Sequence, residues 1–311
     1  MENIIYVTGH KNPDSDSICA AIAYANLKNQ LGDTSVVPAR LGNISNETKF
    51  ILDYFHAEEP KLIESAKDKK IILVDHNEKA QTIPELENGE LLEIIDHHRI
   101  ADIETANPIY FRNEPLGSTS TIVANMFFEK GLTPSTSIAG VLCGAIISDT
   151  LLLKSPTATP VDKEVLERLA KIANIELETF AKEMFKAGTS LEGRTADEIF
   201  NQDFKTFTLK EFKIGVAQIT TMDLEGFKKR KPEFLDLMES KTKEEGYYVL
   251  VLLATDIIET SSEIIACGEG LDIINKAFNT TLIENSSYLP GVVSRKKQVI
   301  PPITKAIEEL K

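Results

Sequence analysis

The chain has no tryptophan, only three cysteines and five histidines, and no apolar run approaching the length of a bilayer. Each shortage excludes something. Cys19, Cys143 and Cys267 are odd in number and lie singly in helical or strand patterns, which argues against a disulfide frame or a thiolate zinc site. They read as small buried hydrophobes in a reducing compartment. Without a stretch of roughly 20 apolar residues, no membrane-spanning helix is expected. The opening MENIIYVTGH has no basic n-region and reads directly as a first strand, so a cytoplasmic location is expected. Cations are also scarce: 34 Lys and Arg stand against 48 Asp and Glu, a net charge of −14. A nucleic-acid binder draws most of its affinity from cations that neutralise phosphates, so no nucleic-acid partner is expected. A small anion held by metals and a few cations stays open.

At 311 residues the chain exceeds the usual single-domain size. Short apolar strands alternate with amphipathic helices up to about residue 187. Strands are expected at Ile4–Thr8, Ser35–Ala39, Ile71–Val74 and Leu91–Ile95. Helices are expected near Ser17–Gln30, Glu47–Phe55, Ser118–Lys130, Ile138–Ile147, Lys163–Ala173 and Leu177–Ala187. Such alternation predicts an α/β fold, a mostly parallel sheet flanked by helices on both faces. The stretch from Ala187 to Gly193 has two glycines and no periodicity and reads as a linker. Thr195 and Glu198 form a capping-box pattern that opens a helix of a smaller second α/β domain. There, strands are expected at Thr206–Leu209, Lys213–Ile219, Tyr248–Ala254 and Ile264–Gly268, with helices at Lys231–Glu245 and Thr304–Leu310.

The few histidines are placed with aspartates at the ends of the apolar runs. His10, Asp14 and Asp16 lie in GHKNPDSDS, Asp75 follows ILV, and Asp96, His97 and His98 follow LEII. Asp149 lies in GAIISDT. In open parallel sheets ligands bind beyond the carboxyl ends of the strands, where these residues fall. Pro13 disfavours helix at Asn12, so the first group sits on a loop that can aim three side chains at one spot. Converging aspartates repel one another and lose hydration unless a cation replaces both water and counter-charge. Oxygen-rich ligands with a minority of imidazole favour Mn²⁺, Co²⁺ or Mg²⁺. At least six potential ligands exceed what one open catalytic ion needs, whereas two ions about 3.5–4 Å apart, bridged by a carboxylate, accommodate them. Blander roles exist residue by residue. Asp14 or Asp16 alone would serve as a helix cap, His56 as a surface residue, and His76 as a neighbour that orients its loop.

A second constellation, Ser294 to Gln298 (SRKKQ), follows the turn at Pro290 and Gly291. A basic tripeptide is usually a solvated loop. In an acidic chain it also qualifies as an anion clamp, with Arg suited to bidentate phosphate contact. Lys205 is a weaker candidate of the same kind.

These motifs resemble the DHH phosphoesterase superfamily, and within it the family II manganese-dependent inorganic pyrophosphatases. GHKNPDSD, VDHN, DHHR and SDTLLLKSPT carry the resemblance towards the amino terminus and SRKKQ carries it near the carboxyl terminus, so it covers essentially the whole chain. It implies a DHH domain over residues 1–187, a hinge at 188–193 and a DHHA2 domain over 194–311, with the active site in the cleft between them. It implies one metal on His10, Asp14 and Asp75 and a second on Asp16, Asp75, His97 and Asp149, which makes Asp75 the bridging carboxylate. His98 would contact the substrate, while Arg295, Lys296 and Lys205 would hold the outer phosphate. The implied reaction is hydrolysis of pyrophosphate, arriving as its Mg²⁺ complex, to two orthophosphates. The implied nucleophile is a hydroxide bridging two Mn²⁺ per subunit, with Co²⁺ or Mg²⁺ as substitutes, and the implied assembly is a homodimer through the first domain. Branches of the superfamily that degrade oligonucleotides often carry a GGGH stretch, which this sequence does not contain. A metal-stabilised binding module is the non-enzymatic alternative.

Overall fold

The apolar runs that precede the clustered aspartates become neighbouring strands of one parallel sheet. In the computed structural model, which describes residues 4–256 and 259–309, the chain divides into two units, Met1–Gly188 and Thr189–Lys311. The first unit runs β1 (Ile5–Thr8), α1 (Ser15–Gln30), β2 (Val36–Arg40), α2 (Asn46–Tyr54), β3 (Lys61–Leu62), β4 (Lys70–Val74), β5 (Glu90–Asp96) and β6 (Tyr110–Asn113). Four helices follow: α3 (Thr119–Glu129), α4 (Thr136–Thr150), α5 (Pro160–Ala173) and α6 (Leu177–Gly188). All strand pairs are parallel, in the order β3-β2-β1-β4-β5-β6. The two-residue β3 and the exposed β6 are too short and too polar to have stood out in the sequence.

The chain steps from β1 to β2 in one direction along the sheet and from β4 to β5 in the other, so right-handed crossovers place these connections on opposite faces. On one face α1 is buried along most of its length and packs against α3 and α4. The other face differs from the expected second helical layer. Ile71, Leu73 and Ile94 there meet Ala66, Ile83, Leu86, Ile103 and Ile109, all from connections without α-helix. Close helix packing needs small residues: a Cβ on Gly140 of α4 would lie 2.1 Å from the ring of Phe55.

The second unit comprises α7 (Ala196–Asn201), β7 (Phe204–Leu209), β8 (Phe212–Thr220), α8 (Leu224–Lys229), α9 (Lys231–Glu245) and β9 (Val249–Asp256). It continues with β10 (Ser261–Gly268), α10 (Leu271–Phe278), β11 (Ser286–Pro290) and α11 (Ile300–Glu308). Its mixed sheet runs β11-β10-β9-β8-β7, and β8 and β9 are the parallel pair. Two apolar clusters cover its faces. Phe227, Phe234 and Met238 pack on one side, and Ile273, Ile274, Ile303 and Ile307 on the other. The capping box of Thr195 and Glu198 is formed as the sequence suggests. The expected loop after Ala187 begins as helix, because α6 continues to Gly188, and Leu191 is already buried in the second unit's core. The last helix starts earlier than expected, at Ile300, because Pro301 and Pro302 suit a first helical turn. Leu310, the expected last residue of that helix, lies outside the described residues. All three cysteines are free and buried. Among the described residues no helix is long and apolar enough to cross a membrane.

Candidate metal centre

The strand order reverses between β1 and β4, and the loops leaving these two strands part at that point, which is where open α/β sheets form their crevice. The loop after β1 is pinned to α1. The His10 amide donates to Ser17 Oγ at 2.8 Å, and a Cβ on Gly9 would collide with the same hydroxyl at 1.8 Å. Asp14 caps α1 through Oδ1, which accepts from the Ser17 amide at 2.9 Å. The bland capping role is therefore real, yet Oδ2 remains to face His10 Nε2 at 3.4 Å. Asp16 is fully buried and caps α3 instead of its own helix. It accepts from the Thr119 amide at 2.7 Å, the Ser120 amide at 3.0 Å and the Ser118 hydroxyl at 2.8 Å. That helix terminus also brings a favourable dipole to the carboxylate.

Asp75 ends β4 in a left-handed conformation, φ 62°, which non-glycine residues adopt mainly in turns and functional sites. The turn aims its carboxylate across the crevice. Oδ1 accepts from the Thr119 hydroxyl at 3.1 Å and lies 3.4 Å from His97 Nε2, while Oδ2 lies 3.5 Å from His10 Nε2. Asp149 comes from the last turn of α4, 3.8 Å from His97. Immediately afterwards Leu151, Leu152 and Leu153 are all left-handed, with φ between 48° and 63°, a strained turn that ends the helix beside the site.

The two imidazoles are oriented from behind. His10 Nδ1 lies 2.7 Å from the Lys11 carbonyl and His97 Nδ1 lies 3.0 Å from the Leu116 carbonyl. A carbonyl can only accept, so each Nδ1 carries the proton, and Nε2, turned toward the carboxylates, is the atom each ring would offer to a metal. Three groups of ligand atoms lie within 4.8 Å of one another: His10, Asp14 and Asp75; Asp16, Asp75, His97 and Asp149; and Asp75, His97 and His98. His10, Asp14, Asp16, Asp75, His97, His98 and Asp149 thus converge, and Asp75 belongs to every group.

Electrostatics shows what this arrangement lacks. Burial, followed by the charges of Asp16, Asp14 and Asp96, drives the Asp75 carboxyl far above the ordinary range. Burial, followed by the charges of Asp16 and Asp75, does the same to Asp149. Asp75 Oδ2 is buried without a hydrogen-bond partner. Carboxylates that cannot all ionise, imidazole nitrogens turned toward them and an orphaned buried oxygen are all satisfied by divalent cations, so the donor set fits them.

His98 is half exposed and differs from its neighbour. Its amide and Nδ1 both bond to Asp96 Oδ1, at 3.1 and 2.9 Å, which leaves Nε2 free. Asp96 is fully buried and also accepts from Asn77, so it serves as the orienting partner of His98. Burial alone would raise its carboxyl, but the bonds from His98 and Asn77 outweigh this and lower it. His76 Nδ1 bonds to the Val74 carbonyl, and burial lowers its pKa to about 4, so the ring is neutral and holds the loop. Reading the sequence missed the roles of Ser118, Thr119 and Ser120. Their run of hydroxyls signalled a helix start, but nothing in it pointed to Asp16 or Asp75, which are distant in sequence.

In the second unit Lys205 on β7 and Lys296 are exposed. Arg295 is buried, with Nη1 2.5 Å from the Asp203 carbonyl and Nη2 2.8 Å from Asp203 Oδ1. The backbone of this loop is fixed by two glutamines. Gln218 accepts from the Arg295 amide at 3.2 Å and donates to the Val293 carbonyl at 3.1 Å, while Gln298 accepts from the amides of Val293 and Ser294.

Comparison with known proteins agrees with this two-part construction. Residues 4–146 match the DHH family, N-terminal domain, and residues 182–306 match the DHHA2 domain. These two matches place the chain in the class of DHH proteins that carry a DHHA2 domain. Whole-length relatives narrow the class. The chain is 61% identical over 309 residues to a probable manganese-dependent inorganic pyrophosphatase of Clostridium acetobutylicum, covering 99% of each chain. It is 46% identical over 311 residues to the manganese-dependent inorganic pyrophosphatase of Bacillus subtilis, covering 99% of this chain and 100% of the relative. The crystal structure of a putative family II inorganic pyrophosphatase of Methanococcus jannaschii shares 43% identity with a TM-score of 0.62, covering 98% of this chain and 100% of that one. The chain belongs to the family of manganese-dependent, family II inorganic pyrophosphatases.

Proposed function

We propose that the protein hydrolyses inorganic pyrophosphate to two orthophosphates at this centre, with two divalent ions held by the groups that share Asp75. The observation that carries the proposal is Asp75 itself: a buried carboxylate with one orphaned oxygen, placed between two sets of ligands. His10, Asp14 and Asp75 would hold one ion, and Asp16, Asp75, His97 and Asp149 the other. Bound there, the ions would supply positive charge to the phosphates and lower the pKa of water. The remaining work falls to the protein. Thr119 and the amino terminus of α3 hold Asp75 and Asp16 in place. Asp96 accepts from Nδ1 of His98 and orients the ring, which as the imidazolium would also donate from Nε2 to a phosphoryl oxygen as charge builds on it.

The second unit contributes the cations. Lys205 and Lys296 are exposed and can neutralise the leaving phosphate. Arg295 is committed to Asp203 in this structure, so a phosphate contact through it requires exchange of that pair. We take the substrate to be the magnesium complex of pyrophosphate, because a polyanion entering a chain of net charge −14 benefits from partial neutralisation. The working ion is proposed to be Mn²⁺. Co²⁺ suits the same kind of donors, and a relative from Clostridium perfringens, 59% identical over 243 residues that make up 78% of this chain and 44% of the relative, is named a cobalt-dependent inorganic pyrophosphatase. A cytoplasmic homodimer assembled through the first unit, with the hinge at 188–193, completes the reading.

The test is phosphate release from pyrophosphate by metal-stripped protein after addition of Mn²⁺, Co²⁺, Mg²⁺ or Zn²⁺, with di-adenylate run in parallel. Turnover of pyrophosphate restored best by Mn²⁺ or Co²⁺ is expected. Cleavage of the dinucleotide without pyrophosphate turnover would overturn the proposal and leave a phosphodiesterase.

A further inference from the structure

A carboxylate that ligates nothing stands directly behind the centre. Glu47 lies in the first turn of α2, and its Oε1 accepts two hydroxyls, from Ser15 at 2.8 Å and from Ser148 at 2.5 Å. Ser15 lies between Asp14 and Asp16 at the start of α1, and Ser148 immediately precedes Asp149 at the end of α4. One oxygen therefore ties together the two backbone segments that deliver three of the aspartates. Ser15 Oγ also lies 3.2 Å from Thr48 Oγ1, and Thr48 is held in turn by the Ser45 cap of α2. The glutamate is wedged from its other side as well. A Cβ on Gly188, at the end of α6, would come within 2.8 Å of Glu47 Cβ.

We propose that Glu47 is a positioning residue for the metal centre, acting through Ser15 and Ser148 to hold Asp14, Asp16 and Asp149 at the separation two divalent ions require. This inference rests on the metal-centre reading given above. Two helix ends that each present acids to the other repel one another. A hydroxyl from each end donating to a shared acceptor is a direct way to hold them at a set spacing without placing a ligand in the centre. Outer partners of metal ligands act in this way, and their loss typically weakens metal binding about 10- to 100-fold. Each serine hydroxyl donates and the carboxylate oxygen accepts, so the polarity of the arrangement is set by chemistry and does not depend on a tautomer.

The experiment is titration of Mn²⁺ into metal-stripped wild type, Glu47→Ala, Glu47→Gln and Gly188→Ala, with thermal midpoints of the metal-free and Mn²⁺-loaded forms. Glu47→Ala is expected to weaken uptake of at least one ion about 10- to 100-fold and to lower the midpoint of the loaded form more than that of the metal-free form. Glu47→Gln keeps an acceptor oxygen and should recover part of the affinity. Gly188→Ala touches no ligand and should weaken binding by displacing Glu47. Equal destabilisation of loaded and metal-free Glu47→Ala with unchanged Mn²⁺ affinity would reduce the residue to an ordinary packing contact and overturn the inference. Wild-type protein that takes up no Mn²⁺ would remove the metal-centre reading and this inference together.

Discussion

The two units handle charge differently around the groups read as functional. The first buries acids: Asp16, Asp75 and Asp96 are all but inaccessible, and two carboxyls of the centre are driven far above their ordinary pKa by burial and mutual repulsion. The second keeps Lys205 and Lys296 in water and pairs its buried Arg295 with Asp203. Buried carboxyls crowded together either hold their protons or take counter-charge from outside the chain, and a divalent ion supplies that counter-charge. Solvated lysines need no partner at rest and can meet an anion that arrives later. A third case lies within the first unit. Asp162 is fully buried but receives the Gly117 amide, the Thr121 hydroxyl and both donors of Thr159. It is satisfied by the chain alone and needs no ion.

The contrast can be broken most severely at Asp75. Asp75→Asn should lower turnover by well over about 100-fold, since even outer partners of metal ligands cost 10- to 100-fold, and metal content should fall with it. Without metal the same variant should be the more stable protein near neutral pH, because a carboxyl that resists ionising has been removed. Stability equal to wild type in the metal-free form would mean that the repulsion is not felt. Asp162→Asn should do the reverse, destabilising the protein by about 3 kcal/mol with or without metal, because a charged acceptor of several bonds is replaced by a group that also donates. Denaturant unfolding would show this, and a loss seen only in loaded protein would assign Asp162 to the centre.

A milder break lies in the second unit. Lys296→Ala should raise KM for pyrophosphate about 10- to 100-fold, the worth of one charge-assisted bond, with metal content unchanged. Lys297→Ala should change KM far less. Loss of bound metal in Lys296→Ala would reassign that loop to structure. The smallest effect concerns pH. Asp75 and Asp149 have folded pKa values above those of the unfolded chain, so their contribution to stability is present at low pH and is lost as pH rises through the folded values. Metal-free protein should therefore lose stability on the alkaline side, while ions that displace those protons bind better there. The rise in thermal midpoint on adding Mn²⁺ should be larger near pH 8 than near pH 5. An equal rise at both would show that no proton is displaced.

Much of this was legible along the chain. β4 and β5 were readable as short β-branched runs ending in acids, and α5 and α9 as helices, although α5 begins before the expected Lys163, at Pro160 behind a capping box of Thr159 and Asp162. The residues of the centre could be named because histidine is scarce and aspartate recurs after apolar runs. β3, β6, α8, α10 and β11 were not legible, being short elements whose pairing or packing partners lie elsewhere in sequence. The layer opposite α1 was misjudged, since a right-handed crossover fixes which face a connection covers but not whether it is helical.

What the sequence determined by itself is the inventory: which side chains can ligate, on which loops they sit, and a preference for oxygen and imidazole donors, because these follow from residue type and local conformation. What only the tertiary structure decided is who holds them. Asp16 caps α3, which lies a hundred residues away, Thr119 holds Asp75, and Glu47 joins two helix ends. Those partnerships depend on the sheet order and on helices packed at contact distance, and no local pattern encodes a hydrogen bond between segments that only folding brings together.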